Sequence, residues 1–119
     1  MTDTKARRRA ARFWIIAGVM HFVAPRYYES IVPKRLEPWK KEIVVASGVA
    51  ELAGGLAVIP PRTRRAARWW LLATLLAVYP ANIWMALRPE RFRNIPAPAL
   101  WARLPVQFLF AWLTWRGTE

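Results

Sequence analysis

The stretch from Ile43 to Ile59 constrains this chain most, because its only charge is Glu51, at the centre of an otherwise apolar run. A run of this length predicts a helix embedded in a membrane. An ionised carboxylate in hydrocarbon costs at least ~2.5 kcal/mol, so Glu51 needs a partner, a water-filled cavity or a proton. Small residues share its helical face and allow another helix or a ligand to approach it: Ser47, Gly48, Gly54 and Gly55.

The charges are segregated from the apolar residues along the chain. There are 19 basic and 7 acidic residues, a net charge of +12, and 55% hydrophobic residues. The charges cluster at the ends of apolar runs, which is the arrangement that a bilayer selects. A soluble, basic nucleic-acid binder is the alternative that the net charge invites. The apolar run that ends at Leu87 argues against it, so we expect a lipid bilayer and no nucleic acid as partner.

Four apolar segments predict an all-α fold, a four-helix antiparallel transmembrane bundle in a single domain over residues 1–119. The predicted helices cover approximately residues 9–24, 41–59, 66–87 and 99–115. Two polar connections, 25–42 and 88–98, separate them on one side, and Pro60-Pro61 ends the second helix. Tryptophans and tyrosines near both ends of the segments, Trp14 among them, predict two interfacial aromatic belts.

The basic residues favour one orientation in the membrane. In an antiparallel bundle both termini and the 60–65 loop share a side. That side carries Lys5, Arg7, Arg8, Arg9, Arg12, Arg62, Arg64, Arg65, Arg68 and Arg116. The remaining nine of the nineteen basic residues flank the other side, so the counts are close. The density of arginine in the short N-terminal arm and the tight 60–65 loop predicts that both termini are cytoplasmic.

Five polar residues within the apolar segments are predicted to converge in one half of the bundle. With alternating helix directions, four of them lie in the half that faces the polar connections, and Glu51 borders it: His21, Glu51, Asn82, Arg103 and Gln107. Pro80 and Pro105 bend helices in the same half, which opens space for a cavity. Purely structural interpretations of these residues also stay open. In these interpretations, Glu51 joins two helices by pairing with Arg103 or by a hydrogen bond to His21. The amides of Asn82 and Gln107 are then interhelical hydrogen bonds worth roughly 0.6 kcal/mol each.

Several kinds of chemistry are not expected of this composition. The absence of cysteine excludes disulfides and thiol redox chemistry, and a single histidine makes an imidazole metal site unexpected. No metal or nucleotide motif is present.

Glu51 and His21 are the candidate catalytic residues, as acid–base or anchoring groups. The candidate ligand-binding residues are Asn82, Arg103, Gln107, Tyr28 and Tyr79. Whether the chain is an enzyme stays open.

At these residues the chain resembles the DoxX-like family of small four-helix membrane proteins. The matching pieces are HFVAPRYYESIVP (21–33), SGVAELAGGLAVIPPRTRRAA (47–67), YPANIWMAL (79–87) and RLPVQ (103–107). The resemblance implies a four-helix bundle in a bacterial cytoplasmic membrane. It also implies a link to quinone-coupled oxidation or to membrane-bound oxidative-stress complexes, although a cysteine-free chain departs from branches that work through a thiol.

Two functions are expected from these observations. In the first, the bundle binds a small hydrophobic molecule, quinone- or lipid-like, in a polar-lined pocket, and a quinone is the cofactor that the resemblance suggests. In the second, the chain is a non-catalytic membrane partner or assembly subunit of a redox complex, and the polar residues serve packing alone.

Overall fold

The computed structural model describes residues 4–92 and 95–119, and these ranges contain helices and no strand. Four of the helices are long: α1 (Thr4–Val23), α3 (Lys40–Val58), α4 (Pro61–Leu87) and α5 (Ala97–Gly117). A short helix, α2 (Pro25–Ser30), follows α1, and 3₁₀ segments cover Lys34–Trp39 and Pro89–Arg91. The predicted all-α class is confirmed, with five α-helices in the described ranges.

The four long helices form a ring in which each packs against two neighbours. α1 packs on α3 and α5, and α4 packs on the same two helices from the opposite corner. At one end, Arg68 at the start of α4 donates from Nε to Thr118 Oγ1 over 2.9 Å, and a side chain at Gly117 would meet Ala10 of α1. Both chain ends and the α3–α4 turn therefore share this end, the terminal end. The opposite end, with α2 and both 3₁₀ segments, is the loop end.

α4 begins at Pro61 instead of near residue 66, so the arginines predicted to form a loop lie in its first turns. Proline suits the first helical position because its missing N–H would have no partner there. The side chains that follow satisfy the free carbonyls at the end of α3. Arg64 donates to the carbonyls of Val58 and Ile59 over 2.9 and 2.7 Å, and Thr63 Oγ1 donates to that of Ala57 over 2.6 Å.

The predicted polar connection 25–42 contains ordered helical structure. Ala24 leaves the helical conformation with ψ of 57°, and Pro25 starts α2 directly after it. Val32 is buried, although charged residues surround its short apolar cluster in the sequence. This connection therefore packs against α1 and α3 at the loop end of the bundle. It does not merely link two helices.

Trp14 lies in the core and not in an aromatic belt, which corrects the prediction for this residue. It is 1% exposed, and its indole Nε1 donates to Thr114 Oγ1 over 2.9 Å. A buried hydroxyl on α5 satisfies the indole N–H, so the ring can pack against Val58 and Leu71 without a polar penalty. Six other tryptophans are exposed, near the two ends of the bundle: Trp39, Trp69, Trp70, Trp101, Trp112 and Trp115.

Glycines bring α1 and α3 into backbone contact. A Cβ atom at Gly18 would lie 2.7 Å from the backbone nitrogen of Leu52 and 2.8 Å from the carbonyl oxygen of Gly48. One at Gly48 would lie 2.8 Å from the Cβ of His21. The prediction that small residues near Glu51 let another helix approach is therefore confirmed: α1 approaches at Gly48 and Gly55, and α4 approaches at Gly54.

The outer surface of the bundle is apolar along its middle. Large hydrophobic side chains are exposed on every long helix, with Leu76 and Phe108 more than 70% exposed. By length and hydropathy, α4 is the one described helix that qualifies as a candidate membrane span, and 22% of its most apolar stretch is buried. The other long helices carry charges near their ends or, in α3 and α5, within them.

The α1–α3 contact predicts that Gly18→Val destabilises the fold. Because backbone atoms of α3 occupy the space, the helices have to move apart, at a cost of about 1–3 kcal/mol. The control is Ala46→Val, which places the same valine side chain at an exposed position of α3. Thermal unfolding in detergent should show a lower midpoint for Gly18→Val alone, and equal midpoints would contradict the observed packing.

Candidate binding site

A cavity of about 450 Å³ lies in the loop-end half of the bundle. All four long helices, α2 and the Lys34–Trp39 segment contribute to its wall, which is mostly apolar. Four wall residues are exposed: Tyr27 on α2, Leu36 on the 3₁₀ segment, and Ala77 and Pro80 on α4. The cavity is therefore open to the outside of the bundle at these residues. Its polar wall residues include His21, Tyr28, Ser47, Glu51, Asn82 and Arg103.

His21 and Glu51 form a buried pair on this wall. Nε2 of the imidazole lies 2.9 Å from Oε2 of the carboxyl group, and each residue is 8% exposed. α1 supplies the histidine and α3 the glutamate, and the close approach at Gly48 brings the two together. Of the two interpretations open for Glu51, the structure has the hydrogen bond to His21. Within the described ranges, Arg103 makes no ion pair with Glu51.

The hydrogen bonds around the imidazole determine how many protons the pair holds. Nδ1 of His21 lies 2.7 Å from the carbonyl oxygen of Ala17, which can only accept, so Nδ1 carries a hydrogen. A bond between Nε2 and Glu51 needs one more proton, on either the imidazole or the carboxyl group. Both arrangements, imidazolium with carboxylate and imidazole with carboxylic acid, have a total charge of zero. The pair therefore keeps a movable proton in the cavity wall without adding net charge.

Ser47 and Tyr28 support this pair from two sides. Ser47 lies one helical turn before Glu51, with Oγ 3.4 Å from Glu51 Oε2 and 3.3 Å from His21 Nε2. The Tyr28 ring stacks on the imidazole with centroids 4.0 Å apart and planes 19° apart. Stacking restricts rotation of the imidazole, so its Nε2 stays directed at the carboxyl group.

Arg103 reaches the cavity from α5 and is held there by neutral groups. Its Nη1 donates to Gln107 Oε1 over 2.9 Å, and its guanidinium lies 4.8 Å from the centre of the Phe110 ring. Gln107 Nε2 in turn donates to the Leu75 carbonyl on α4 over 2.7 Å. Among residues 4–92 and 95–119, no carboxylate lies within ion-pair distance of Arg103. The guanidinium is thus positioned without being neutralised.

The remaining predicted ligand-binding residues divide between wall and scaffold. Asn82 lines the cavity, and its only side-chain bond within the described ranges runs from Nδ2 to the Val78 carbonyl at 3.5 Å. Tyr79 donates to the Leu104 carbonyl over 3.3 Å and does not line the cavity. Gln107 does not line it either. The structure thus brings together His21, Tyr28, Glu51, Asn82 and Arg103, and it places Tyr79 and Gln107 in the α4–α5 contact behind them.

The sequence placed Ser47 on the helical face of Glu51, and the structure adds that its side chain lines the cavity and contacts both members of the pair. Tyr27 is a wall residue that sequence reasoning missed. Tyr27 depends on α2, which the charged connection concealed. Within the described ranges, no cluster of three His, Cys, Asp or Glu side chains could hold a metal ion.

Comparison with known proteins assigns the chain to a family without assigning it an activity. A family model described as a domain of unknown function (DUF8561) matches residues 10–118. No curated protein and no solved structure matches the chain. The matched range takes in every cavity residue, so the site lies within the domain that defines the family.

The shared proton predicts strongly non-additive effects of substitution at His21 and Glu51. His21→Leu leaves a buried carboxyl group without its partner, and loss of one member of a buried pair costs about 3–5 kcal/mol. Glu51→Leu likewise leaves the imidazole without its partner. The double variant has neither polar group, so it should be more stable than His21→Leu alone. Unfolding of all four proteins in detergent measures this, and additive losses would show that the two side chains do not interact.

Proposed function

The chain belongs to the family of the domain of unknown function DUF8561, and we propose that it is an integral membrane protein that binds a small hydrophobic molecule in the His21–Glu51 cavity. The observation that carries the proposal is the buried contact between His21 and Glu51 in the wall of a mostly apolar cavity that has exposed residues at its rim.

The distribution of apolar surface supports the membrane location. Exposed hydrophobic side chains cover the middle of all four long helices, whereas polar groups such as Glu51, Asn82 and Gln107 are buried inside. Soluble proteins rarely expose so large an apolar surface, but lipid is a suitable solvent for it. The longest dimension, 46 Å, is close to the bilayer thickness of about 40–45 Å with head groups. We propose four spans, with snorkelling arginines extending the shorter helices.

The basic residues support an orientation with the terminal end in the cytoplasm. The predicted lysines and arginines of this side lie in the first turns of α1 and α4 and the last turn of α5. Exposed Trp69 and Trp115 pack edge to face beside them, with centroids 5.8 Å apart. Clustered cations beside an aromatic belt suit the cytoplasmic leaflet. By its resemblance to DoxX-like proteins, we propose the bacterial cytoplasmic membrane.

The cavity supports a hydrophobic ligand with one or two polar atoms. Its volume is within the usual range for ligand sites, about 300–1,000 Å³, and its wall is apolar apart from a few converging polar groups. The His21–Glu51 pair can donate a hydrogen bond to a ligand oxygen or accept one from a ligand hydroxyl, and a proton exchanged with the ligand would leave opposite charges on the pair and the ligand. A quinone- or lipid-like molecule has the required combination of apolar body and oxygen atoms.

The membrane proposal predicts the behaviour of the protein during fractionation. Because lipid replaces water around the apolar surface, high-salt and alkaline washes should leave the protein in the membrane fraction. A mild detergent should release it. A basic peripheral protein would leave in the salt wash, since salt screens its contacts with phosphates, and that result would contradict the proposal.

The ligand proposal predicts that a hydrophobic molecule co-purifies with the detergent-solubilised protein and is lost from Glu51→Gln. The substitution keeps the size of the side chain but removes its movable proton. Loss of a hydrogen bond to a charged group, about 1.5–3 kcal/mol, lowers retention roughly tenfold or more. Mass spectrometry of the bound fraction measures the ratio.

Thr114→Val is the matched control for this measurement, because it removes a buried polar group that does not line the cavity. It should lower stability and retain the ligand. If no ligand accompanies the wild type, and Glu51→Gln lowers only stability, the chain is better described as a non-catalytic membrane partner of a redox or stress complex. A pull-down from membranes then becomes the informative experiment.

A further inference from the structure

The charged side chains of the cavity wall have a net positive charge, which indicates the chemical class of the ligand. His21 and Glu51 together are neutral, since one shared proton serves both. Arg103 is the other strongly basic or acidic side chain of the wall, and it keeps its positive charge at every ordinary pH. Within the described ranges, the wall therefore holds one cation that makes no ion pair with a carboxylate.

On the basis of the proposed function, we propose that the cavity binds an amphiphile whose head is a singly charged oxyanion, a carboxylate or a phosphate. Arg103 binds this head, and the apolar body of the amphiphile lies in the cavity. A guanidinium has five N–H donors in a planar fork that matches such oxyanions. Gln107 Oε1 occupies one donor, and the Phe110 ring supports the face of the guanidinium. The other donors have no protein acceptor among the described residues.

The position of Arg103 suits a head group. It lies in the second turn of α5, near the loop end, between the main cavity and a smaller one of about 210 Å³. Asn82 and Tyr27 also line both cavities. An oxyanion at this boundary would receive bonds from Arg103 and the Asn82 amide, while the chain or ring system of the ligand extends along the apolar wall.

The neutral Arg103–Gln107 contact distinguishes a binding group from a structural one. Arg103 is half-buried, and a positive charge that is partly removed from water without a carboxylate partner is costly. Glu51 is the carboxylate on the same wall, and His21 already satisfies it. An anionic ligand removes that cost on binding, whereas a neutral quinone or alcohol does not.

The main comparison is between oleate and oleyl alcohol, which differ only at the head. Their binding to the purified full-length protein is measured in an uncharged detergent, at a mildly alkaline pH where carboxylic acids are ionised. Decylubiquinone and dioleoyl phosphatidylglycerol are the second neutral and second anionic probe. Oleate should bind about tenfold or more tightly than oleyl alcohol, as expected for a charge-assisted hydrogen bond. Binding of phosphatidylglycerol in place of oleate would support the same site with a bilayer lipid as the source.

Substitutions show whether Arg103 is responsible. Arg103→Gln should remove the preference for the anion, and Arg103→Lys, which keeps the charge but not the fork, should retain part of it. Arg88→Gln is the matched control, since this exposed arginine at the loop end lines neither cavity. Unchanged preference in Arg103→Gln would overturn the proposal.

Failure of this inference can be told apart from failure of the proposed function. Ala81 lines the main cavity, so Ala81→Phe should reduce binding of every probe by filling it. If oleyl alcohol or decylubiquinone binds as tightly as oleate and Ala81→Phe abolishes binding, the cavity is a ligand site but not an anion site. If no probe binds, or Ala81→Phe changes nothing, both proposals are overturned.

Discussion

The hydrogen bond between His21 and Glu51 is the interaction on which the rest of the bundle depends. A carboxyl group in the middle of an apolar helix is costly as a lone anion, and the imidazole 2.9 Å away removes that cost by sharing one proton. The contact in turn requires α1 to lie against α3 without intervening side chains, which Gly18 and Gly48 permit. The close packing of α1 on α3 and the sharing of a proton by His21 and Glu51 therefore depend on each other, because moving the two helices apart would separate the two side chains.

The same constraint determines where the cavity can be. In the terminal half, Trp14 fills the ring of helices among apolar side chains, and Thr114 satisfies its indole N–H. In the other half Pro80 and Pro105 interrupt the backbone hydrogen bonds of α4 and α5, and the helices surround the cavity there. The bundle thus has a closed half that supplies stability and an open half that has room for a ligand.

Much of this arrangement follows from residue patterns. Four apolar segments separated by prolines and charges predict the long helices, and a lone glutamate among glycines predicts a close partner. What the patterns do not contain is the choice of partner. His21 and Arg103 were equally plausible for Glu51, since helix rotation decides between them and apolar residues on every face of α1 leave that rotation undetermined. α2 was concealed for a related reason: charges flank its tyrosines in the sequence. Tyr28 was predicted as a ligand-binding residue, but the helix that carries it, and Tyr27 as a wall residue, were not.

The membrane proposal also explains why the interior is the more polar part. In water, burial of apolar groups drives folding, and a polar cavity would be a defect. In lipid the exterior is already in a favourable solvent, so helix association depends on close packing and on polar contacts such as His21–Glu51 and Gln107–Leu75. The His21–Glu51 contact then both holds α1 against α3 and lines the cavity, whereas the Gln107–Leu75 contact lies behind it. Arg103 is the exception, because neutral neighbours position it without an ion pair among the described residues, and the proposed anionic ligand would supply that partner.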